Sequence, residues 1–210
     1  MCFSAPASFI ASAAIGTVGI GTVKKAKKKE EYLLAFIPIL FAIQQLIEGT
    51  QWLLDKPSVC SDIAGYSFLF FAFLLWPFYV PLAFYLIEPN VKRKKILKLF
   101  AVAGAACSLF LFATLLINPL NIHEVQNSIA YGVNIPVGLS GLLIYVIATS
   151  GSAMVSSFKM LQIFGILTLV FLILTLLSYS HALTSVWCFF SAILSSIIYL
   201  HFTKYEELIK

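Results

Sequence analysis

Apolar stretches long enough to cross a lipid bilayer recur seven times along this 210-residue chain. A helix needs about 20 mostly apolar residues to span the hydrocarbon core. The chain is 60% hydrophobic and 11% charged, whereas a soluble domain is about half apolar and a quarter charged. A soluble fold of this length could not bury so much apolar surface. The predicted spans run approximately over residues 6–23, 32–54, 66–87, 96–117, 129–150, 158–178 and 185–202.

These spans predict an all-α fold, a polytopic transmembrane bundle of about seven helices. The chain is too short to hold a second, soluble domain, so residues 1–210 are predicted to form one seven-helix domain. No basic residue precedes the first apolar stretch, which indicates a first span rather than a cleaved signal peptide.

The basic residues predict the orientation of the bundle. Seven spans place thirteen of the fourteen Lys and Arg residues on one side, and only Lys56 falls opposite. Cytoplasmic loops are enriched in basic residues, so we expect the N-terminus outside and the C-terminus in the cytoplasm of a cell membrane, with a bacterial inner membrane favoured. The basic runs at 24–29 and 92–98 should contact anionic lipids. They do not indicate nucleic-acid binding, because no aromatic platform accompanies them.

One acidic residue, Glu48, falls inside a predicted span. Gln44 precedes it by four residues and shares its helix face, and Gln45 lies beside them. Ionisable groups at membrane depth are costly and usually functional. We therefore interpret this cluster as the floor of a polar pocket in the outer half of the bundle. The alternative interpretation is an interhelical hydrogen-bond clamp with Glu48 protonated.

Two proline-containing segments are predicted to shape this pocket. Pro77 and Pro81 should bend the third span, and Pro136 should interrupt the fifth span near Asn134. Simple helix packing is the alternative reason for these prolines. The predicted ligand-binding residues are Gln44, Gln45, Glu48, Trp52, Trp76, Tyr79, Asn134 and Trp187.

Thiol, imidazole and carboxylate groups near the outer face suggest a second kind of site. Cys2, Glu48, His181 and Cys188 together are a ligand set suited to zinc or copper. No close ligand spacing such as His-x-x-x-His is present, so these residues would have to meet across helices. A disulfide among Cys2, Cys60 and Cys188 is the alternative, and Cys107 is expected to be an inert side chain within its span.

Several function classes are excluded by missing residues. No lysine lies inside a span to bind retinal, and the single arginine, Arg93, rules out a voltage sensor. No phosphate-binding loop, dinucleotide fingerprint or esterase elbow occurs. The leading hypothesis is a protein that binds or transports a small polar or amphipathic ligand. The alternatives are a metal- or thiol-dependent membrane enzyme acting at the outer face, and a structural partner subunit.

Three short motifs in order carry a family resemblance. The chain opens Met-Cys-Phe-Ser-Ala, has Gln-Gln-x-x-Glu-Gly over 44–49, and has Trp-Cys-Phe-Phe over 187–190. It resembles a family of uncharacterised bacterial multi-spanning membrane proteins with these motifs. No function is attached to that family. The resemblance singles out the residues that the physical argument also selects, Cys2, Gln44, Gln45, Glu48, Trp187 and Cys188.

Overall fold

The computed structural model describes residues 4–134 and 138–209. Six of its helices are long and apolar enough to cross a membrane, and a shorter apolar helix covers Ser140–Val155. The predicted helical fold is therefore confirmed in its helical content and in six helices that are long and apolar enough to span a membrane. The six long helices are Ala5–Lys25, Lys29–Leu53, Val59–Ile87, Val91–Ile117, Lys159–Ser178 and Ser180–Thr203.

Local changes in helix geometry divide several of these spans into shorter elements. Single 3-10 turns open two spans, and π-helical segments over Phe70–Leu75 and Ile147–Gly151 interrupt two others. The α-helices are α1 (Ala5–Lys25), α2 (Tyr32–Leu53), α3 (Val59–Leu69), α4 (Trp76–Ile87), α5 (Val91–Ile117), α6 (Gly138–Val146), α7 (Ser152–Val155), α8 (Lys159–Ser178), α9 (Leu183–Leu194) and α10 (Ser196–Ile209).

The third span, Val59–Ile87, is irregular just before its first proline. Pro77 has no backbone N–H to donate, and the π-helical segment Phe70–Leu75 precedes it. A π-helical segment leaves carbonyl groups that need other donors, and the Tyr145 hydroxyl donates to the carbonyl of Ala72 at 2.7 Å. The third span is thus irregular at this point, and a residue of α6 compensates the irregularity. The bend predicted from Pro77 and Pro81 stays a prediction.

The fifth predicted span, 129–150, is wrong in its first third. Residues Asn121–Val125 and Ser128–Gly132 form strands β1 and β2 of an antiparallel hairpin. Gln126 and Asn127 join the strands with φ of 48° and 56°, the left-handed conformation that tight hairpin turns use. The apolar residues 129–131, which fit a span by hydropathy, instead belong to a strand in which residues 128–130 are buried. Short apolar runs do not distinguish a strand from a helix.

The hairpin marks one end of the bundle, which we call the hairpin end, and the opposite end, with Lys24 and Lys92, is the basic end. Arg93, at the start of α5, donates from Nη1 to the carbonyl of Ser156 at 2.6 Å. The segment after the hairpin therefore returns along α5 from the hairpin end to the basic end. The apolar helix of this segment, Ser140–Val155, is shorter than the six long helices.

Glycines allow the helices to approach closely. A Cβ on Gly104 of α5 would lie 1.8 Å from the carbonyl oxygen of Pro77. A Cβ on Gly165 of α8 would lie 2.7 Å from the carbonyl oxygen of Ser150. Small residues at such crossings are typical of helix packing within membranes.

Large apolar side chains also cover the outer surface of the helices. Leu116 and Ile117 of α5 are 71% and 80% exposed, and Leu177 of α8 is 80% exposed. Water would solvate these side chains poorly, whereas lipid chains solvate them well. The surface of the bundle is therefore suited to a membrane.

Candidate functional site

Glu48 lies within α2 and is fully buried. Two hydroxyl groups donate to its carboxyl group. Ser185 Oγ, from α9, lies 2.5 Å from Oε1, and the hydroxyl of Tyr131, from β2, lies 3.3 Å from Oε2. The second span, the last span and the hairpin therefore meet at this one side chain, toward the hairpin end.

Gln44 lies one helical turn from Glu48 and is equally buried. Its Oε1 accepts a hydrogen bond from Trp76 Nε1 at 2.8 Å, and its side chain lies beside the Cys188 thiol. Ser185 and Cys188 are one turn apart on α9, as Glu48 and Gln44 are on α2. The two helices therefore face each other through two pairs, Glu48 with Ser185 and Gln44 with Cys188.

The neighbouring glutamines are also buried. Neither amide atom of Gln45 has a hydrogen-bond partner among the described residues, and Gln45 is 0% exposed. Gln51 donates from Nε2 to Ser61 Oγ at 2.6 Å, but its Oε1 has no partner in the same part of the chain. Most buried polar groups in proteins are hydrogen-bonded, so the second span carries an unusual number of unsatisfied amide atoms.

Two adjacent cavities lie next to this polar cluster. The larger has a volume of about 250 Å³ and lies between the third span, α5, α6 and α9. The smaller has a volume of about 40 Å³ and includes Trp76 in its wall. Both cavities are lined by Tyr145, Trp187 and Cys188. The larger cavity is also lined by Ala72, Phe73, Leu111, Gly138, Gly141, Leu142, Leu183 and Thr184.

The cavities differ from the predicted pocket in two respects. Glu48, Gln44 and Gln45 do not line either cavity. Glu48 is enclosed by its two hydroxyl partners. The larger cavity has mostly aliphatic and aromatic walls, so its chemistry is more apolar than the sequence suggested.

The other predicted ligand-binding residues are distributed along the bundle. Trp76 and Trp187 line the cavities, whereas Trp52 lines a separate surface pocket with Asp55 and Glu124. Tyr79 donates to the carbonyl of Leu33 at 2.9 Å, near the basic end. Asn134 lies exposed in the link between β2 and α6, not within a helix as predicted.

The predicted metal ligands are only partly described. Cys2 lies outside the described residues. So does Pro136, which was predicted to interrupt the fifth span. Glu48 and Cys188 lie close together through the facing turns of α2 and α9, whereas His181 is exposed and its Nε2 lies 3.5 Å from Ser128 Oγ. Over residues 4–134 and 138–209, no group of three His, Cys, Asp or Glu side chains could hold a metal ion. The three cysteines in this part of the chain are free thiols.

Sequence reasoning missed several residues of the site. Ser185, Tyr131 and Tyr145 have no local pattern that distinguishes them from other serines and tyrosines in apolar segments. Outside the site, the burial of Glu88 was also missed, because its position between two spans suggested a solvated side chain. It is 2% exposed at the basic end and accepts hydrogen bonds from the backbone N–H and the hydroxyl of Ser157.

Comparison with known proteins gives one match. A family model described as a family of unknown function (DUF6629) matches residues 1–209. No curated protein and no solved structure matches the chain. The match covers nearly the whole chain, so the bundle, its hairpin and its buried Gln-Gln-x-x-Glu cluster all lie within the matched region. The chain belongs to this family of unknown function, DUF6629.

Proposed function

We propose that this protein is an integral membrane protein that binds a small amphipathic molecule in the larger cavity. The observation that supports the proposal is the cavity of about 250 Å³ whose walls are mostly apolar and which shares Tyr145, Trp187 and Cys188 with the smaller cavity. Ligand sites are typically concave, mostly apolar and supplied with a few polar groups. The volume lies slightly below the usual range of about 300 to 1,000 Å³, which favours a small ligand.

An amphipathic ligand fits better than a strongly polar one. The carboxyl group of Glu48 is enclosed by Ser185 and Tyr131, so a polar solute in the cavity would meet few charged or hydrogen-bonding groups. Apolar parts of the ligand would instead contact residues such as Phe73 and Leu111.

The proposal includes an orientation in the membrane. The basic runs at 24–29 and 92–98 would lie in the cytoplasm against anionic lipids. The hairpin end would then face outward. This orientation requires the chain to cross the membrane seven times. The return of the chain along α5, shown by the contact between Arg93 and Ser156, supports the seventh pass.

The test uses quenching of tryptophan fluorescence by a brominated probe, the methyl ester of dibromodecanoic acid. A Trp52→Phe protein retains Trp187, which lines both cavities, and Trp76, which lines the smaller one. We expect saturable quenching in detergent. Gly141→Phe should weaken it about tenfold, equivalent to about 1.4 kcal/mol, because the phenyl group would fill the cavity.

Leu143→Phe is the matched control. It adds a phenyl group to the same helix at a side chain that is 52% exposed and does not line the cavity. It should leave quenching unchanged. Equal quenching of the wild-type, Gly141→Phe and Leu143→Phe proteins would contradict a site in the cavity and favour the structural-subunit alternative.

A further inference from the structure

The larger cavity extends from the hairpin end toward the middle of the bundle. Gly138 and Thr184 line it at the starts of α6 and α9. The link from the hairpin leads into α6, and the turn before α9 lies against the hairpin. Tyr145 and Cys188 line the same cavity about two turns further along α6 and one turn further along α9. A ligand in this cavity would therefore have one end near the hairpin and the other end deeper in the bundle.

Three of the hydrogen-bonding side chains in the wall of the larger cavity are already engaged. The hydroxyl of Tyr145 and the indole N–H of Trp187 donate to backbone carbonyls at 2.7 Å and 2.9 Å. The thiol of Cys188 is engaged with the side chain of Gln44, and a thiol is in any case a weak donor. The fourth such side chain in the wall is Thr184.

The hydroxyl group of Thr184 is not engaged. It has no hydrogen-bond partner among the described residues, and its oxygen is not enclosed by other atoms. Threonines within the helices, such as Thr149 and Thr175, donate to the carbonyl four residues earlier. Thr184 is the second residue of α9, so the carbonyl four residues earlier, that of Ser180, lies outside the helix. The hydroxyl therefore has a hydrogen to offer a ligand in the cavity.

A second unpaired hydroxyl lies deeper on the same face of α9. Ser191 is about two turns beyond Thr184, is 8% exposed, and has a side chain without a hydrogen-bond partner in the described part of the chain. It lines the smaller cavity and not the larger one. A volume of about 40 Å³ can hold water but is too small for an amphipathic molecule. Thr184 is therefore the hydroxyl that a ligand in the larger cavity would contact.

The wall of the larger cavity has no charged side chain. Over residues 4–134 and 138–209, no Asp, Glu, His, Lys or Arg lines it. An ionised group of a ligand would lose its hydration there without gaining an opposite charge, which is costly. An uncharged oxygen, as in an alcohol, ketone or ester, avoids this cost and can accept a hydrogen bond from Thr184.

We infer that the ligand is an uncharged amphipathic molecule with an oxygen acceptor at one end, and that Thr184 Oγ1 donates a hydrogen bond to this oxygen at the hairpin end. The apolar chain of the ligand then extends inward to Tyr145 and Trp187. The inference rests on the proposed function, because it assumes that the larger cavity holds a ligand. It adds the chemical class of the ligand, its orientation and the residue that determines specificity.

The test compares two probes in the Trp52→Phe protein: the methyl ester of dibromodecanoic acid and dibromodecane, which lacks the oxygen atoms. Thr184→Val keeps the shape of the side chain and removes the hydroxyl group. It should weaken binding of the ester about three- to tenfold, as expected for the loss of one hydrogen bond. It should leave the binding of dibromodecane unchanged, which also shows that the variant is folded.

Ser191→Ala is the matched control, because it removes the other unpaired hydroxyl from the same face of α9. It should not change the affinity for either probe. Ratios of variant to wild-type affinity cancel the difference in detergent partitioning between the probes. A loss of ester affinity in Ser191→Ala but not in Thr184→Val would place the polar end of the ligand at the smaller cavity and overturn the inference.

The ionised acid, dibromodecanoate at alkaline pH, tests the requirement for an uncharged ligand. Gly141→Phe should not reduce its quenching, and a reduction would contradict that requirement. If Thr184→Val changes neither of the other probes, or weakens both equally, while Gly141→Phe still reduces quenching by the ester, the inference fails and the proposed function stands. Quenching by the ester that is insensitive to Gly141→Phe would contradict the proposed function itself.

Discussion

At the residue scale, Glu48 combines the features of a clamp and of a site. Its carboxyl group accepts hydrogen bonds from α9 and from the hairpin, as the clamp interpretation requires. The adjacent Gln44 and Gln45 retain three unpaired amide atoms, which a clamp does not need. The polar cluster therefore stabilises the contact between α2 and α9 and also contains amide atoms that this contact leaves unpaired.

The pairing of Glu48 with Ser185 can be measured by a double-mutant cycle. Ser185→Ala should reduce the free energy of unfolding by about 1 to 3 kcal/mol, because it leaves a buried carboxyl oxygen without its partner. Glu48→Leu should also be destabilising. The double variant should cost less than the sum of the two, with a coupling energy of about 1 kcal/mol or more.

Unfolding in detergent can be followed by the reaction of buried thiols with a maleimide dye. Cys107 and Cys188 are buried, and exposed Cys60 can be replaced by Ser to lower the background. Strict additivity of the two substitutions would show that the 2.5 Å contact between Ser185 and Glu48 contributes nothing to stability.

At the element scale, close helix crossings and irregular helix segments shape the cavities. The crossing of α5 with the third span depends on Gly104, which meets the carbonyl of Pro77. The π-helical segment Phe70–Leu75 lies just before this crossing and contributes Ala72 and Phe73 to the larger cavity. The same crossing that packs the bundle therefore also positions part of the cavity wall.

Two glycine substitutions should have opposite effects. Gly104→Ala should destabilise the protein by about 1 to 3 kcal/mol, because its Cβ would overlap a backbone oxygen and force the helices apart. Gly16→Ala, in α1, would place its Cβ 3.5 Å from Ala42 Cβ, an ordinary contact. It should stabilise its helix by about 0.5 to 1 kcal/mol. The same thiol-reactivity measurement tests both variants. Equal changes in the free energy of unfolding would show that α5 and the third span do not approach each other closely at Gly104.

At the scale of the whole molecule, the arrangement of the chain assigns each loop to an end of the bundle. Lys92 at the start of α5 and Lys159 at the start of α8 lie at the basic end, because Arg93 contacts Ser156. Cys60, in the first turn of α3, lies toward the opposite end and is exposed.

Thiol labelling of intact bacterial cells with a membrane-impermeant maleimide tests this arrangement in a Cys2→Ser background. Cys60 should be labelled without permeabilisation. Cysteines introduced by Lys92→Cys and Lys159→Cys in a protein lacking Cys60 should be labelled only after permeabilisation, both from the same side. Labelling of these two positions from opposite sides would show that the short helix Ser140–Val155 does not complete a seventh pass.

Hydropathy and residue spacing are sufficient to predict the helical fold, the six long apolar helices and the choice of Gln44, Gln45 and Glu48 as the unusual polar cluster. These features follow from hydropathy and residue spacing, which are local properties of the chain. Three features could be seen only once the chain was folded: the enclosure of Glu48 by Ser185 and Tyr131, the hairpin over residues 121–132, and the apolar walls of the larger cavity. Those outcomes depend on how each helix is rotated against its neighbours, and a change of rotation alters every contact without changing the hydropathy of any span.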